Sequence, residues 1–124
     1  MQQLLAIAGG GAIGAVLRFG IASNIYRWLG RDFPFGILVV NVVGSLLIGF
    51  LFALIVERGI LSIEWRAALM VGFLGAFTTF STFSMETVLL LEAGEPVKAG
   101  LNVLLSVVFC LGATWLGLVI GRQL

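Results

Sequence analysis

The sequence has no histidine, a single cysteine, and few charged residues, which make up 10% of its 124 positions. Without histidine or a second cysteine, the chain has no cysteine–histidine metal site, no histidine acid–base catalysis and no internal disulfide. We therefore expect that the protein is not an enzyme. Its net charge of +1 offers no basic surface to a polyanion, so we expect no nucleic-acid partner.

What the chain has in abundance is apolar sequence, with 60% hydrophobic residues where a soluble domain typically has about half. So short a chain cannot hide this much apolar surface in water. A helix needs about 20 apolar residues to cross a bilayer, and four stretches have that length. The sequence predicts an all-α membrane protein with one domain, residues 1–124, surrounded by the lipid bilayer. The predicted spans cover about residues 4–28, 35–56, 67–91 and 97–120.

Lysine and arginine are divided evenly between the two sides of these spans, three against three, with Arg18 inside the first span. Such a balance gives no strong orientation signal. It is what a chain inserted both ways would show, so two copies could pair as an antiparallel dimer; a fixed topology set by other features is the alternative. Four short helices hardly enclose a polar path alone, which favours the dimer. The residues are Arg58, Arg66 and Arg122 on one side, and Arg27, Arg31 and Lys98 on the other.

The third span carries the most informative segment, because residues 78–84 contain five hydroxyl side chains at mid-membrane depth. A glycine-rich stretch precedes them, and glycine and threonine weaken a regular helix. A break here would free backbone carbonyls, which are tolerated only if protein or an ion satisfies them. Hard cations such as Na⁺ favour oxygen ligands. The alternative is an unbroken helix whose hydroxyls bond to neighbouring helices.

Other polar or aromatic side chains within the spans are candidates for an anion path. Phe80 and Phe83 share a helix face, and the weakly positive edge of a phenyl ring can line such a path. Asn41 and Ser106 offer donors that could replace the water shell of a small anion, or could simply bond between helices. Arg18 either reaches toward the membrane surface or lines an anion vestibule.

Residues 78–83 read Thr-Thr-Phe-Ser-Thr-Phe after a glycine-rich lead-in, and this segment resembles the signature of the Fluc (CrcB) family of fluoride channels. Residues 10–14 through Arg18 resemble the first-span motif of that family. Asn41, with Val40 before it and Gly44 after it, resembles the second-span motif. The likeness extends over the whole chain in size, number of spans and their order.

The resemblance implies a dual-topology homodimer whose third helix is broken near its middle. It implies passive export of fluoride across the bacterial inner membrane, which protects the cell against fluoride toxicity. A structural Na⁺ at the dimer centre would be held by the backbone carbonyls of Gly75 and Thr78. Ala76, where many members have glycine, narrows the conformations available at the break. The implied fluoride pathway contains Asn41, Phe80, Thr82, Phe83 and Ser106.

The main alternative function is that of a small multidrug exporter, which is also short and four-spanning. Proton-coupled export of a cation needs a carboxylate deep in the bundle. The first span has Arg18 and no acidic residue, and Glu86 is the only carboxylate clearly inside a span. This composition disfavours the exporter. A non-transporting structural subunit is a second alternative, which the polar residues in three spans disfavour weakly.

Overall fold

A computed structural model describes residues 1–124 as an antiparallel bundle of helices. Four helical segments are long and apolar enough to cross a membrane, as the sequence predicts: Gln2–Leu29, Phe35–Glu57, Ile63–Glu92 and Pro96–Gln123. The first is one helix, α1 (Gln2–Leu29), and the last is α6 (Pro96–Gln123). The second comprises α2 (Phe35–Leu51) and a π-helical turn (Phe52–Glu57). The third comprises α3 (Ile63–Arg66), a π-helical segment (Ala67–Leu74), α4 (Gly75–Phe77) and α5 (Phe80–Glu92).

The third helical segment begins four residues earlier than the hydrophobic pattern predicts. The Ser62 hydroxyl caps it by accepting a hydrogen bond from the backbone N–H of Trp65 at 3.4 Å. The first turn contains polar residues, so hydropathy alone does not predict that the helix begins here. The capping serine stabilises this start. Pro96 lies in the first turn of α6, where its missing N–H costs no hydrogen bond.

Glycines allow the helices to approach one another backbone to backbone. A Cβ atom built on Gly10 of α1 would lie 2.1 Å from the carbonyl oxygen of Ala68 in the third span. One built on Gly117 of α6 would lie 2.2 Å from the carbonyl oxygen of Leu46 in α2. Small residues at such positions let membrane helices pack closely. α1 therefore packs against the third span, and α6 against α2.

An ion pair joins the end of the second span to the end of the fourth. The Arg122 guanidinium donates to both carboxylate oxygens of Glu57 at 2.9 and 2.8 Å, and Arg58 donates to the Arg122 carbonyl at 3.0 Å. The loop after the second span and the end of α6 therefore lie on the same side. This is the arrangement that four antiparallel spans require.

Most of the apolar side chains face outward. Only 22 of 124 residues are buried, and large hydrophobic side chains are exposed along all four spans. An apolar surface of this extent is incompatible with water but suits lipid. The chain is a multi-pass membrane protein. Its small internal core consists of Ala22, Tyr26, Ile37, Val40, Leu74 and Phe77.

Candidate functional site

Two residues in the middle of the third span leave the helical conformation. α4 ends at Phe77, and α5 begins at Phe80. Thr78 has φ −86° and ψ 157°, and Thr79 has φ −151° and ψ 117°, so both are extended. We call this pair of residues the interruption. Because an extended residue cannot continue the regular helical hydrogen bonds, the backbone groups around this segment need other partners.

Asn41 of α2 supplies two of these partners. Its side-chain N–H donates to the carbonyl oxygen of Thr79 at 3.0 Å, and its side-chain oxygen accepts from the Thr79 N–H at 2.8 Å. The carboxamide thus pairs with the Thr79 backbone much as a neighbouring strand would. The sequence predicts Asn41 as an anion donor, but gives no sign of this pairing with a residue 38 positions away. One of its two amide protons is already committed.

The hydroxyl of Thr79 caps the N-terminus of α5. Its oxygen accepts a hydrogen bond from the Thr82 N–H at 3.1 Å, which is the N-cap interaction of α5. On the other side of the interruption, the Thr78 hydroxyl donates to the Leu74 carbonyl at 2.9 Å. Each of the two threonine hydroxyls therefore bonds to one of the helix ends that flank the interruption: Thr78 to the end of the preceding helix, and Thr79 to the start of α5.

The carbonyls of Gly75 and Thr78 lose their regular helical donors. In an unbroken helix they would accept from the N–H groups of Thr79 and Thr82. Those two groups donate instead to Asn41 and to the Thr79 hydroxyl. The chain has no cluster of three acidic, cysteine or histidine side chains that could hold a metal ion. Backbone carbonyls without helical donors are oxygen ligands of the kind that hard cations take.

An open cavity of about 480 Å³ lies beside the interruption. It brings together residues that the sequence predicts separately, from the second, third and fourth spans. No lysine, arginine, aspartate or glutamate lines it. We call it the central cavity. The predicted site residues in its lining are Asn41, Gly75, Thr78, Phe80, Phe83 and Ser106.

Two side chains of the central cavity have few contacts within the chain. The Phe80 ring is 78% exposed, and it tilts by 50° against Phe83 at a centroid distance of 5.3 Å. The buried Ser106 hydroxyl has no hydrogen-bond partner within the chain, and its proton is free to be donated into the cavity.

Arg18 and Thr82 line a different, smaller cavity of about 280 Å³. Its lining also contains Tyr26, Arg31 and Glu86. We call it the lateral cavity. The sequence groups Thr82 with Phe80 and Phe83, but the structure places Thr82 on the neighbouring face of α5.

Tyr26 and Arg31 of this lateral cavity are not among the site residues that the sequence predicts. Tyr26 is the only tyrosine of the chain. It lies at the end of the first span, on the side where an antiparallel bundle also places the end of the third span and Glu86. That topology could have brought it to attention, but the contact between them depends on how the helices pack.

The chain is similar in sequence to the proteins of one known family. Residues 5–118 match the family described as CrcB-like protein, Camphor Resistance (CrcB). A protein of Methylococcus capsulatus named fluoride-specific ion channel FluC is 59% identical over 98% of this chain, which spans 54% of that relative's length. Proteins with the same name from Coxiella burnetii and Geobacter sulfurreducens are 52% and 51% identical, and the alignments cover both partners completely.

Such identity over complete chains is compatible only with a shared fold, and the match to the family extends through all four spans. The motif of residues 78–83 lies at the interruption, where Thr79 bonds to Asn41 and the two phenylalanines line the same cavity as Asn41. The chain belongs to the CrcB family.

Proposed function

We propose that this protein is a fluoride-selective ion channel that allows passive export of F⁻ across the bacterial inner membrane and so protects the cell against fluoride toxicity. Its relatives at 51–59% identity carry the name fluoride-specific ion channel. The structural observation that carries the proposal is the central cavity, which combines aromatic rings with amide and hydroxyl groups and has no charged side chain.

The chemistry of this lining suits a small, strongly hydrated anion. Such an ion loses its water shell only where N–H and O–H donors replace it. Asn41 keeps one amide proton beyond its bond to Thr79, and Ser106 has an unpartnered hydroxyl. The edges of Phe80 and Phe83 add a weak positive potential. Because no fixed positive charge lines the cavity, the anion is not trapped and can leave.

We propose that the working unit is an antiparallel homodimer with two such pathways. The exposed Phe80 ring and the open side of the central cavity leave a surface at mid-membrane that a second copy would cover. The even division of arginine and lysine between the two sides supports insertion in both orientations. An inverted second copy would bring the interruptions of the two chains together at the same depth.

We propose that the extended residues Thr78 and Thr79 break the third membrane helix and that a structural Na⁺ binds there at the dimer centre. The carbonyls of Gly75 and Thr78, which have lost their helical donors, fit such an ion. When bound, Na⁺ would neutralise the carbonyl dipoles of both copies and link them. The dimer fraction in detergent should therefore be larger in Na⁺ than in a bulky organic cation.

The decisive experiment is ion efflux from liposomes that contain the purified protein, with valinomycin and K⁺ to balance charge. We expect rapid F⁻ efflux and little Cl⁻ efflux. Protein that is folded and dimeric, in the presence of Na⁺, but releases no F⁻ would refute the proposed function. Equal release of both anions would refute its selectivity.

A further inference from the structure

The lateral cavity reaches from the loop after the first span into the bundle. Arg31 of that loop lines it, and so does Arg18, which lies eleven residues before the end of α1, or about 16 Å along the helix axis. Thr82 lines it as well, and its hydroxyl accepts a hydrogen bond from the Thr79 hydroxyl at 3.1 Å. Because Thr79 lines the central cavity, this pair of hydroxyls joins the two cavities. The lateral cavity thus leads toward the central cavity from the loop side.

The two cavities differ in charge. No charged side chain lines the central cavity, whereas two arginines and one glutamate line the lateral cavity. These are Arg18, Arg31 and Glu86, so the lateral lining has a net formal charge of one positive. Without Arg31, the charge of Glu86 would cancel that of Arg18, and the lining would be neutral. Arg31 therefore decides whether this opening is positively charged.

The Arg31 guanidinium is held in place by the ring of Tyr26, over which it lies at 4.5 Å from the ring centre. That ring is itself fixed. It is buried and packs against Gly36, where a Cβ would be 2.6 Å from a ring carbon. Its hydroxyl donates to the Glu86 carboxylate and accepts from the backbone N–H of Ile37. The cation–π contact positions the charge of Arg31 at the cavity without neutralising it.

No acidic partner neutralises Arg31 either. The chain has two ion pairs, Lys98 with Glu95 and Arg122 with Glu57, and Arg31 takes part in neither. Its sequence neighbour Asp32 does not line the lateral cavity. A charge at the mouth of a cleft with walls of low dielectric constant raises the local concentration of ions of opposite sign and speeds their entry.

We propose that Arg31 gives the lateral cavity its net positive charge and thereby speeds the entry of F⁻ into the pathway. This inference rests on the proposed channel function. It assigns attraction of the anion to a charged opening, and its passage to an uncharged centre lined by donors. Because Arg31 acts through its charge at a distance, its effect depends on ionic strength.

The test compares Arg31→Gln with wild type in F⁻ efflux from liposomes, at one low F⁻ concentration and two ionic strengths set with potassium gluconate. Exposed charges act over about 30 Å at about 0.01 M and over about 3 Å at about 1 M. We expect Arg31→Gln to slow efflux at least about fivefold at the low ionic strength and less than about twofold at the high one. Arg31→Lys keeps the charge and should stay within about twofold of wild type at both.

Arg27→Gln is the matched control. Arg27 lies four residues before Arg31 and is exposed near the end of α1, but it does not line the lateral cavity. The substitution removes the same charge from the same side of the bundle. We expect efflux within about twofold of wild type at both ionic strengths, because the charge of Arg27 acts on the pathway through water.

Three outcomes would overturn the proposal. The first is a loss of efflux in Arg31→Gln that is equal at both ionic strengths, or no loss at all. The second is an Arg31→Lys protein as slow as Arg31→Gln, because the packing of the guanidinium would then matter and not its charge. The third is an Arg27→Gln protein as slow as Arg31→Gln, because the charge of the whole surface would then be responsible.

Each variant is first shown to match wild type in size-exclusion chromatography, and wild-type efflux is measured in the same vesicles. If wild type releases no F⁻, the proposed channel function fails. If it releases F⁻ and Arg31→Gln matches it at both ionic strengths, only the role of Arg31 fails.

Discussion

Asn41 occupies a position at which a carboxamide is the natural choice. The Thr79 peptide presents one donor and one acceptor to it, at 2.8 and 3.0 Å. An ionised carboxylate offers acceptors only, and an aliphatic side chain offers neither. A buried peptide group left without partners in a membrane costs several kcal/mol. Asn41 therefore holds the Thr79 backbone with two hydrogen bonds, and its remaining amide proton is available to the proposed pathway.

We expect Asn41→Ala to lower both stability and F⁻ efflux. Losing both bonds to Thr79 should reduce the free energy of unfolding by about 1–3 kcal/mol. The F⁻ efflux rate should fall at least about tenfold, as the loosened segment misplaces the neighbouring rings. Asn24→Ala is the matched control, because the exposed Asn24 amide bonds only to Gly20 of its own helix. Wild-type stability and efflux in Asn41→Ala would contradict this role.

The Phe80 and Phe83 rings are expected to act by their electrostatics as well as by their size. Replacing either with isoleucine keeps an apolar side chain but removes the positive ring edge. We expect F⁻ efflux to fall about tenfold or more for each, with the dimer still formed. The control is Phe109→Ile on the exposed face of α6, which should conduct normally. Unchanged efflux in both Phe80→Ile and Phe83→Ile would remove the rings from the pathway.

At the scale of elements, the third span shows what the sequence can and cannot predict. Its hydrophobicity predicts a membrane span, and its glycines and threonines predict weakened helix near the middle, which is where Thr78 and Thr79 are extended. The sequence does not predict the π-helical segment Ala67–Leu74. This segment packs closely on α1, where Gly10 lies against the Ala68 carbonyl, and hydrophobic periodicity records neither that contact nor the wider helical turn.

The candidate site was predictable as a set of residues but not as an arrangement. Their polarity at membrane depth identifies Asn41 and Ser106, because a polar group in the membrane is unfavourable unless it bonds to a neighbouring group or a ligand. It does not reveal that Asn41 bonds to Thr79, or that Thr82 faces the lateral cavity, because both depend on helix rotation and on distant contacts. The sequence does not single out Tyr26, because aromatic residues are common near the ends of spans, where they lie at the membrane interface.

The packing of α1 on the third span gives a sharp test, since Gly9 and Gly10 are neighbours in sequence with opposite surroundings. A Cβ on Gly10 would lie 2.1 Å from a backbone oxygen, whereas one on Gly9 would meet nothing within 4 Å. We expect Gly10→Ala to lower the free energy of unfolding by at least about 2 kcal/mol. Gly9→Ala should be neutral, or stabilising by up to about 1 kcal/mol. Denaturant titration in detergent measures both, and equal effects would refute the close approach.

At the scale of the whole molecule, the orientation in the membrane is the property on which the proposed dimer depends. The ion pair of Glu57 with Arg122 places one set of termini and loops together. The contacts of Tyr26 with Ile37 and Glu86 place the other set together at the opposite end. The three arginine and lysine residues on each side therefore balance across a defined bundle, and a few added charges should decide its orientation.

The final prediction uses two variants that fix opposite orientations. The substitutions Gln2→Lys and Gln123→Lys raise the number of basic residues on one side from three to five. The substitutions Asp32→Lys and Ala93→Lys do the same on the other side. All four positions are exposed at the ends of the bundle. If the channel is an antiparallel dimer, each variant alone should give little F⁻ efflux, because every copy inserts the same way. Expressed together, they should pair and restore efflux, and a terminal reporter should confirm the two orientations. Full activity of each variant alone, with the reporter showing a single orientation, would mean that a parallel dimer or a monomer conducts.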